Sequence, residues 1–132
     1  ASLQRLVDAA GADQLGILTV TQDDPFGLGR IVREDGQIVR IVEEKDATAE
    51  QKLVTEVNTG IMIAPVEKLR TWLPALSSNN AQGEYYLPDA LNYIIKSGLI
   101  VKTLLLENPV EGSGINNKNE LIALEKLVNS GF

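Results

Sequence analysis

The sequence predicts an α/β fold on a mixed sheet, because β-type runs alternate with helical patterns along the chain and only one tight hairpin interrupts them. Caps and breakers bound most of these runs, which makes the alternation a succession of separate elements. Length and composition agree with it. At 132 residues, with 44% apolar and 23% charged side chains, the chain reads as a single globular domain over residues 1–132. No internal repeat or linker divides it.

Leu3, Leu6, Val7 and Ala10 recur at helical spacing behind Ser2, a good N-cap, and Gly11 stops the run, which predicts a short surface helix. Residues 16–21 are rich in Ile, Leu, Val and Thr and predict a strand that enters the polar loop Gln22-Asp23-Asp24-Pro25. Residues 30–34 and 37–43 flank Asp35-Gly36 and predict an antiparallel hairpin. The neighbouring apolar pairs Ile31-Val32 and Ile41-Val42 break its alternation, so its buried face and register stay open. Thr48 with Gln51 forms a capping-box pattern that predicts a brief helix near 49–54.

Residues 57–64 predict a buried central strand in which Gly60 marks a bulge or a close backbone approach. Pro65 suits a helix first turn, Val66, Leu69 and Leu73 follow at helical spacing, and Pro74 ends the pattern. After the polar loop at 79–83, Pro88 and Asp89 open a helix whose stripe is Leu91, Ile94 and Ile95, with Gly98 at its C′ position. Residues 99–106 predict a further strand. Asn117 with Glu120 predicts the cap of a closing helix lined by Leu121, Leu124 and Val128.

Composition then narrows the chemistry. Eighteen acidic against 12 basic residues leave a net charge of −6, which disfavours nucleic acid as a partner. With neither His nor Cys, the chain itself supplies no Ser-His-Asp triad, Cys-His pair or thiolate metal site. Carboxylate, amide and backbone groups remain, and such oxygen donors suit Mg²⁺ shared with substrate phosphates. The longest apolar run, 61–64, is far below the ~20 residues of a membrane span. No signal-peptide pattern opens the chain, and the absence of cysteine suits a cytoplasmic setting.

Individual motifs are ambiguous on their own. Gly27-Leu28-Gly29 resembles a phosphate-binding turn, yet a strand follows it and no helix N-terminus, so a flexible turn is the plainer reading. Glu43 and Glu44 resemble a carboxylate pair, but neighbours on a strand point to opposite faces and read as a solvated strand end. Asn58 lies in an apolar run and needs its amide satisfied, by backbone at a bulge or by a ligand hydroxyl. Asn117 is explained as a helix cap, which leaves Asn116 without a structural role. Tyr85 and Tyr86 suit packing, or stacking on a sugar or base.

Taken in order, Asp24-Pro25, Gly29-Arg30-Ile31, the stretch from Val42 through Thr48, Glu56-Val57-Asn58-Thr59-Gly60-Ile61, the Asn79-Asn80-Ala81-Gln82-Gly83-Glu84-Tyr85-Tyr86 run and Gly114-Ile115-Asn116-Asn117 carry a resemblance over nearly the whole chain. The chain resembles the uridyltransferase domain of bacterial bifunctional UDP-N-acetylglucosamine pyrophosphorylase/glucosamine-1-phosphate N-acetyltransferase, specifically the second half of that domain. The resemblance implies a partial nucleotide-diphospho-sugar transferase fold. It implies an activity that joins UTP to N-acetylglucosamine 1-phosphate, giving UDP-N-acetylglucosamine for cell-wall synthesis and releasing diphosphate. It further implies that Gly29 offers backbone to the substrate, that Glu43 and Asn58 hold the sugar's hydroxyl and acetamido groups, and that Asn116 helps bind Mg²⁺.

The family's Gly-rich nucleotide loop and metal-binding Asp are not in this sequence, and neither are its acetyltransferase repeats. Pro88 stands where the family usually has Thr, and Ser113 where an acidic residue is common. The expectation is a sugar- and metal-side half whose partner is the N-terminal half of the domain, inactive by itself. A non-catalytic or engineered module derived from that domain is the alternative, and a homo-oligomer is compatible with either.

Overall fold

The computed structural model describes residues 2–131. Its centre is a five-stranded sheet in the order β3-β2-β4-β1-β5, formed by β1 (Leu15–Thr21), β2 (Arg30–Glu34), β3 (Gln37–Val42), β4 (Glu56–Ile63) and β5 (Val101–Leu105). The sheet is mixed as predicted. β1 pairs antiparallel with β4 and parallel with β5, and the connection from β4 to β5 passes through α2 (Val66–Trp72) and α3 (Leu87–Lys96). The remaining helices are α1 (Ser2–Ala10) and α4 (Lys118–Asn129).

Alternation along β1 puts Leu15 and Ile17 on one face and Leu18 and Val20 on the other, so the sheet carries a core on each side. Ile31, Ile38, Ile41, Trp72, Leu91, Ile94 and Val101 join the first under α2 and α3. Leu6 of α1 joins Val57 and Leu106 in the second.

The hairpin forms where Asp35-Gly36 predicts it, with positive φ at both residues (48° and 77°), the conformation of a two-residue I′ turn. A bulge settles the register. Val32 faces Arg40 but Arg33 faces Ile38, so Val39 is the extra residue, and this returns Ile38 and Ile41 to one face despite their spacing. β3 stops at Val42, however, which leaves Glu43 outside the strand predicted to contain it.

Several other expectations are corrected. The Thr48–Gln51 box forms reciprocally, with bonds of 3.0 and 3.2 Å, but caps only a 3₁₀ turn, Gln51–Leu53, because Val54 is already extended toward β4. Ser2 lies inside α1 and does not flank it. Pro65 flanks α2 in extended conformation, and Leu73 belongs to a following 3₁₀ turn. β5 is shorter than 99–106, with Leu99 and Ile100 exposed. β4 is central in the sheet, yet of its residues only Val57 is buried, since β2 meets it only through Arg30 opposite Val57. Gly60 lies in a bulge with φ of 80°, and a Cβ there would meet nothing, which excludes the close approach.

The molecule exposes 8349 Å², against about 6,800 Å² for a compact monomer of 14.3 kDa. Part of that excess is α4, which buries none of its residues, so Leu121, Leu124 and Val128 do not form the core stripe their spacing suggests. No helix among the described residues is long and apolar enough to cross a membrane.

Candidate functional site

Three of the four predicted site residues lie near the start of β2, where Gly29 sits beside both Asn58 of β4 and Glu43 after β3, although Asn58 and Glu43 line different cavities. Gly29 is buried at the start of β2, and its carbonyl accepts the Asn58 N–H at 2.8 Å. Glu43 closes the other side. A Cβ on Gly29 would lie 2.9 Å from Glu43 Oε1 and 3.4 Å from Ile41 Cγ2, so the carboxylate occupies the space that any other residue at 29 would need. What Gly29 has left to give a ligand is its N–H.

Asn58 Oδ1 accepts the Gly60 N–H at 3.2 Å, so the bulge meets part of the amide's need. Beside it, Asn58 lines a small cavity of about 70 Å³ with Gly60, Met62, Leu87, Pro88 and Leu91. That combination is an amide on an apolar wall.

Glu43 borders two openings. One, of about 130 Å³, also takes in Asp46, Asn79, Asn80, Tyr86 and Asp89. Burial pushes the Glu43 carboxyl above the ordinary carboxylate range, and the negative charges of Asp89 and Asp46 push it further against the pull of Arg30. The Tyr86 hydroxyl is buried here without a hydrogen-bond partner, while Tyr85 is exposed. Burial raises the Tyr86 phenol too, the nearby Gln82 side chain opposes it, and the carboxylates of Asp46, Glu43 and Glu84 add to the rise.

The second opening, about 370 Å³, is bordered by Phe26, Gly27, Glu43, Glu44, Lys45, Lys52 and Gln82. Here the strand-neighbour argument fails. Glu43 is extended (φ −68°, ψ 151°) but Glu44 begins a 3₁₀ turn, so both side chains border one cavity. Their surroundings still separate them. Glu44 is held 2.6 Å from the guanidinium of Arg30 and 3.6 Å from Lys52, and it accepts the Gly27 N–H. Desolvation works against its charge, but the bonds from Arg30 and Gly27 outweigh it and hold the carboxyl below its ordinary value.

Asn116 is not part of this group. Its backbone N–H and its amide Nδ2 donate to Glu120 Oε2 at 2.7 and 3.3 Å, which gives it the structural role the sequence withheld. Asn117 caps α4 as expected, its Oδ1 accepting the Glu120 N–H at 3.0 Å. Among the described residues no group of His, Cys, Asp or Glu could hold a metal ion. Beside Asn116 the described residues place only the Glu120 carboxylate, already engaged by Asn116 and Asn117, and that pair does not amount to a Mg²⁺ site.

Sequence reasoning missed Arg30, Asp46, Asp89 and the Tyr86 hydroxyl. Arg30 left a sequence signal, a cation opening an apolar strand, and Tyr86 was read only for its ring, in packing or stacking. The other three reach the site from a turn, from a helix and from the segment before it.

No protein-family model matches the chain. Over 127 residues, 96% of its length, it is 53% identical to the bifunctional protein GlmU of Herminiimonas arsenicoxydans. Identity is 51% to the GlmU protein of Janthinobacterium sp. (strain Marseille) and 50% to that of Paraburkholderia phymatum. In each case the chain spans 28% of the relative's length. Among solved structures, a Bacillus anthracis protein named as a glucose-1-phosphate thymidylyltransferase and crystallised with sucrose superposes with a TM-score of 0.65 at 19% identity. The match covers 95% of this chain and 46% of that one, and it shows a shared nucleotidyltransferase-type fold.

Proposed function

We propose, from the premise that the chain belongs to the GlmU family and matches part of its pyrophosphorylase region, that it is the sugar-binding side of an N-acetylglucosamine-1-phosphate uridyltransferase. The observation that carries this reading is the junction of Gly29, Glu43 and Asn58, distant in sequence, around one buried backbone bond. Each has a role the geometry permits. The Glu43 carboxylate accepts from a sugar hydroxyl, and the Gly29 N–H donates to the substrate. Asn58 Nδ2 donates to the acetamido carbonyl while the acetamido methyl rests on Met62, Leu87 and Leu91.

The residues in hand offer less to a triphosphate. Gly27-Leu28-Gly29 leads into β2 and not into a helix N-terminus, and the net charge is −6. Phosphoryl-type transfer depends on positioning and neutralising the phosphates, so this reading assigns UTP to the part of the relatives that the chain does not span. On the family resemblance Asn116 would offer Mg²⁺ its amide oxygen, whose Nδ2 already donates to Glu120. Among the described residues no group of three or more acidic side chains completes such a shell.

Calorimetric titration of the chain with N-acetylglucosamine 1-phosphate and glucose 1-phosphate tests the reading. Binding of the first should exceed binding of the second, and Gly29→Ala should weaken it by about tenfold or more while changing stability little, because only the far end of Glu43 must move. Equal affinity for the two sugars, or full affinity in Gly29→Ala, would defeat it. Diphosphate release from UTP should stay at the protein-free blank.

A further inference from the structure

We propose that Arg30 and Glu44 form a buried clamp that positions Gly29 and Glu43 against one another, so that both are positioning residues for the sugar site; the proposal rests on the functional reading above. Arg30 is 2% exposed, an unusual place for a guanidinium, which is costly to bury unless paired and hydrogen-bonded. Its partners tie two segments together. One guanidinium nitrogen donates to the Leu28 carbonyl, in the loop that delivers Gly29, and another sits 2.6 Å from Glu44 Oε2. That same oxygen accepts the N–H of Gly27 at 3.3 Å. Loop 25–29 and the turn after β3 are thus joined through Glu44, the neighbour of Glu43, to Gly27 and Arg30 on either side of Gly29.

The clamp matters because the β2–β3 ladder ends at the pair Arg30 and Val42, one residue short of Gly29 and of Glu43. Gly27 has a positive φ and space around it, and Glu43 has left the sheet after Val42. The Asn58 N–H holds the Gly29 carbonyl from the β4 side, opposite the β3 side that carries Glu43. The packing of Glu43 into the space beside Gly29 requires that the two chain segments stay at one separation. The β2–β3 ladder sets that separation as far as Arg30 and Val42, and beyond it the Glu44 side chain spans the gap, to Arg30 and to the Gly27 N–H. Lys52, 3.6 Å from the other Glu44 oxygen, holds the carboxylate from outside.

The decisive variant is the double substitution Arg30→Met with Glu44→Gln, which removes both charges together and leaves neither buried alone, a change often tolerated by the fold. Arg30→Lys, which keeps charge but loses the planar fork, is the companion. In the full 132-residue chain, amide exchange at Gly27 and Gly29 should rise by about tenfold or more in both variants, with Val20 and Val57 unchanged. The Glu43 carboxyl, followed by its side-chain carbon resonance, should also lose its parent midpoint. Arg30, Asp46 and Asp89 all face it, and Tyr86 borders the same opening.

Affinity for N-acetylglucosamine 1-phosphate should fall by about tenfold in the double variant, and should fall no further when Glu43→Gln is added, since the clamp acts through Glu43. Unchanged exchange and Glu43 midpoint would overturn the proposal, and so would a loss of affinity that adds in full to that of Glu43→Gln. If the parent chain binds no sugar phosphate, the functional reading fails by itself, and exchange with the Glu43 midpoint still decides the clamp.

Discussion

Helix α3 buries Ala90, Leu91, Asn92 and Ile94, whereas α4, at 12 residues against 10, buries none of its side chains. Their termini are reversed in quality. The residue before α3, Tyr86, makes no side-chain cap bond, while α4 begins with a reciprocal box in which Asn117 Oδ1 accepts from the Glu120 N–H and Glu120 takes the Asn116 N–H. One helix is held by what it packs on and the other by its own first turn. The difference extends to the candidate site: α3 lines its cavities with Asp89 and Leu91, and α4 lines neither.

The largest break in that comparison comes from truncating the same residue type in each helix. Leu91→Ala should cost about 2–5 kcal/mol, since it opens a cavity under the sheet, and Leu124→Ala less than about 0.5 kcal/mol. Urea unfolding of both variants measures the gap, and similar midpoints would mean that α4 is packed after all. Next is Asn92→Leu. The buried Asn92 amide exchanges two 2.8 Å bonds with the N–H and carbonyl of Ile41, on the outer strand of the sheet. Removing it should cost about 2–3 kcal/mol and speed exchange of the Ile41 amide, because both backbone groups lose their partner.

Asn117→Ala sharpens the other side. It should cost about 0.5–2 kcal/mol, but as local melting of α4, visible in helical circular dichroism with the main thermal transition in place. Asn116→Ala should leave that signal intact, since its backbone N–H keeps the Glu120 contact.

The smallest effect is electrostatic and runs through α3. Glu43 has a folded pKa raised by burial and by Asp89 and Asp46, so the stability it contributes is complete below its ordinary value of 4.5 and is lost as pH rises through the folded value. Glu43→Gln should therefore stabilise the chain near neutral pH, by less than about 1 kcal/mol because solvent screens the site, and should do nothing at low pH. Glu56 has the opposite sign. The Arg33 bond holds its carboxyl below the ordinary 4.5, so its contribution is present above the unfolded value and disappears as pH falls through the folded one. Thermal melts of Glu43→Gln and Glu56→Gln across pH 3–7 should diverge at the neutral end.

Element types and most boundaries were legible because their signals are local. Asp35-Gly36 specified the hairpin turn, Asn117 with Glu120 specified a cap, and Gly98 ended α3 with a φ of 79°. The family likeness likewise rests on contiguous residues, and 53% identity over 127 positions bears it out. The Thr48–Gln51 box shows the limit of such signals, since its hydrogen bonds formed while the chain's course toward β4 ended the helix within one turn.

By itself, then, the sequence determined the alternation of strands and helices, the hairpin turn and the α4 cap, which depend on side chains within a few positions of one another, while Gly29, Glu43 and Asn58 were singled out as site residues only through the family resemblance. Only the tertiary structure decided that Ile38 and Ile41 share a face, that Glu44 belongs to Arg30 and not to the Glu43 carboxylate's role, and that Asp46, Asp89 and Tyr86 surround that carboxylate. It also decided that α3 is core and α4 is not. Those outcomes depend on bulges, burial and contacts between segments far apart in the chain, and a charge or an apolar stripe acquires its energy from the neighbours that folding brings to it.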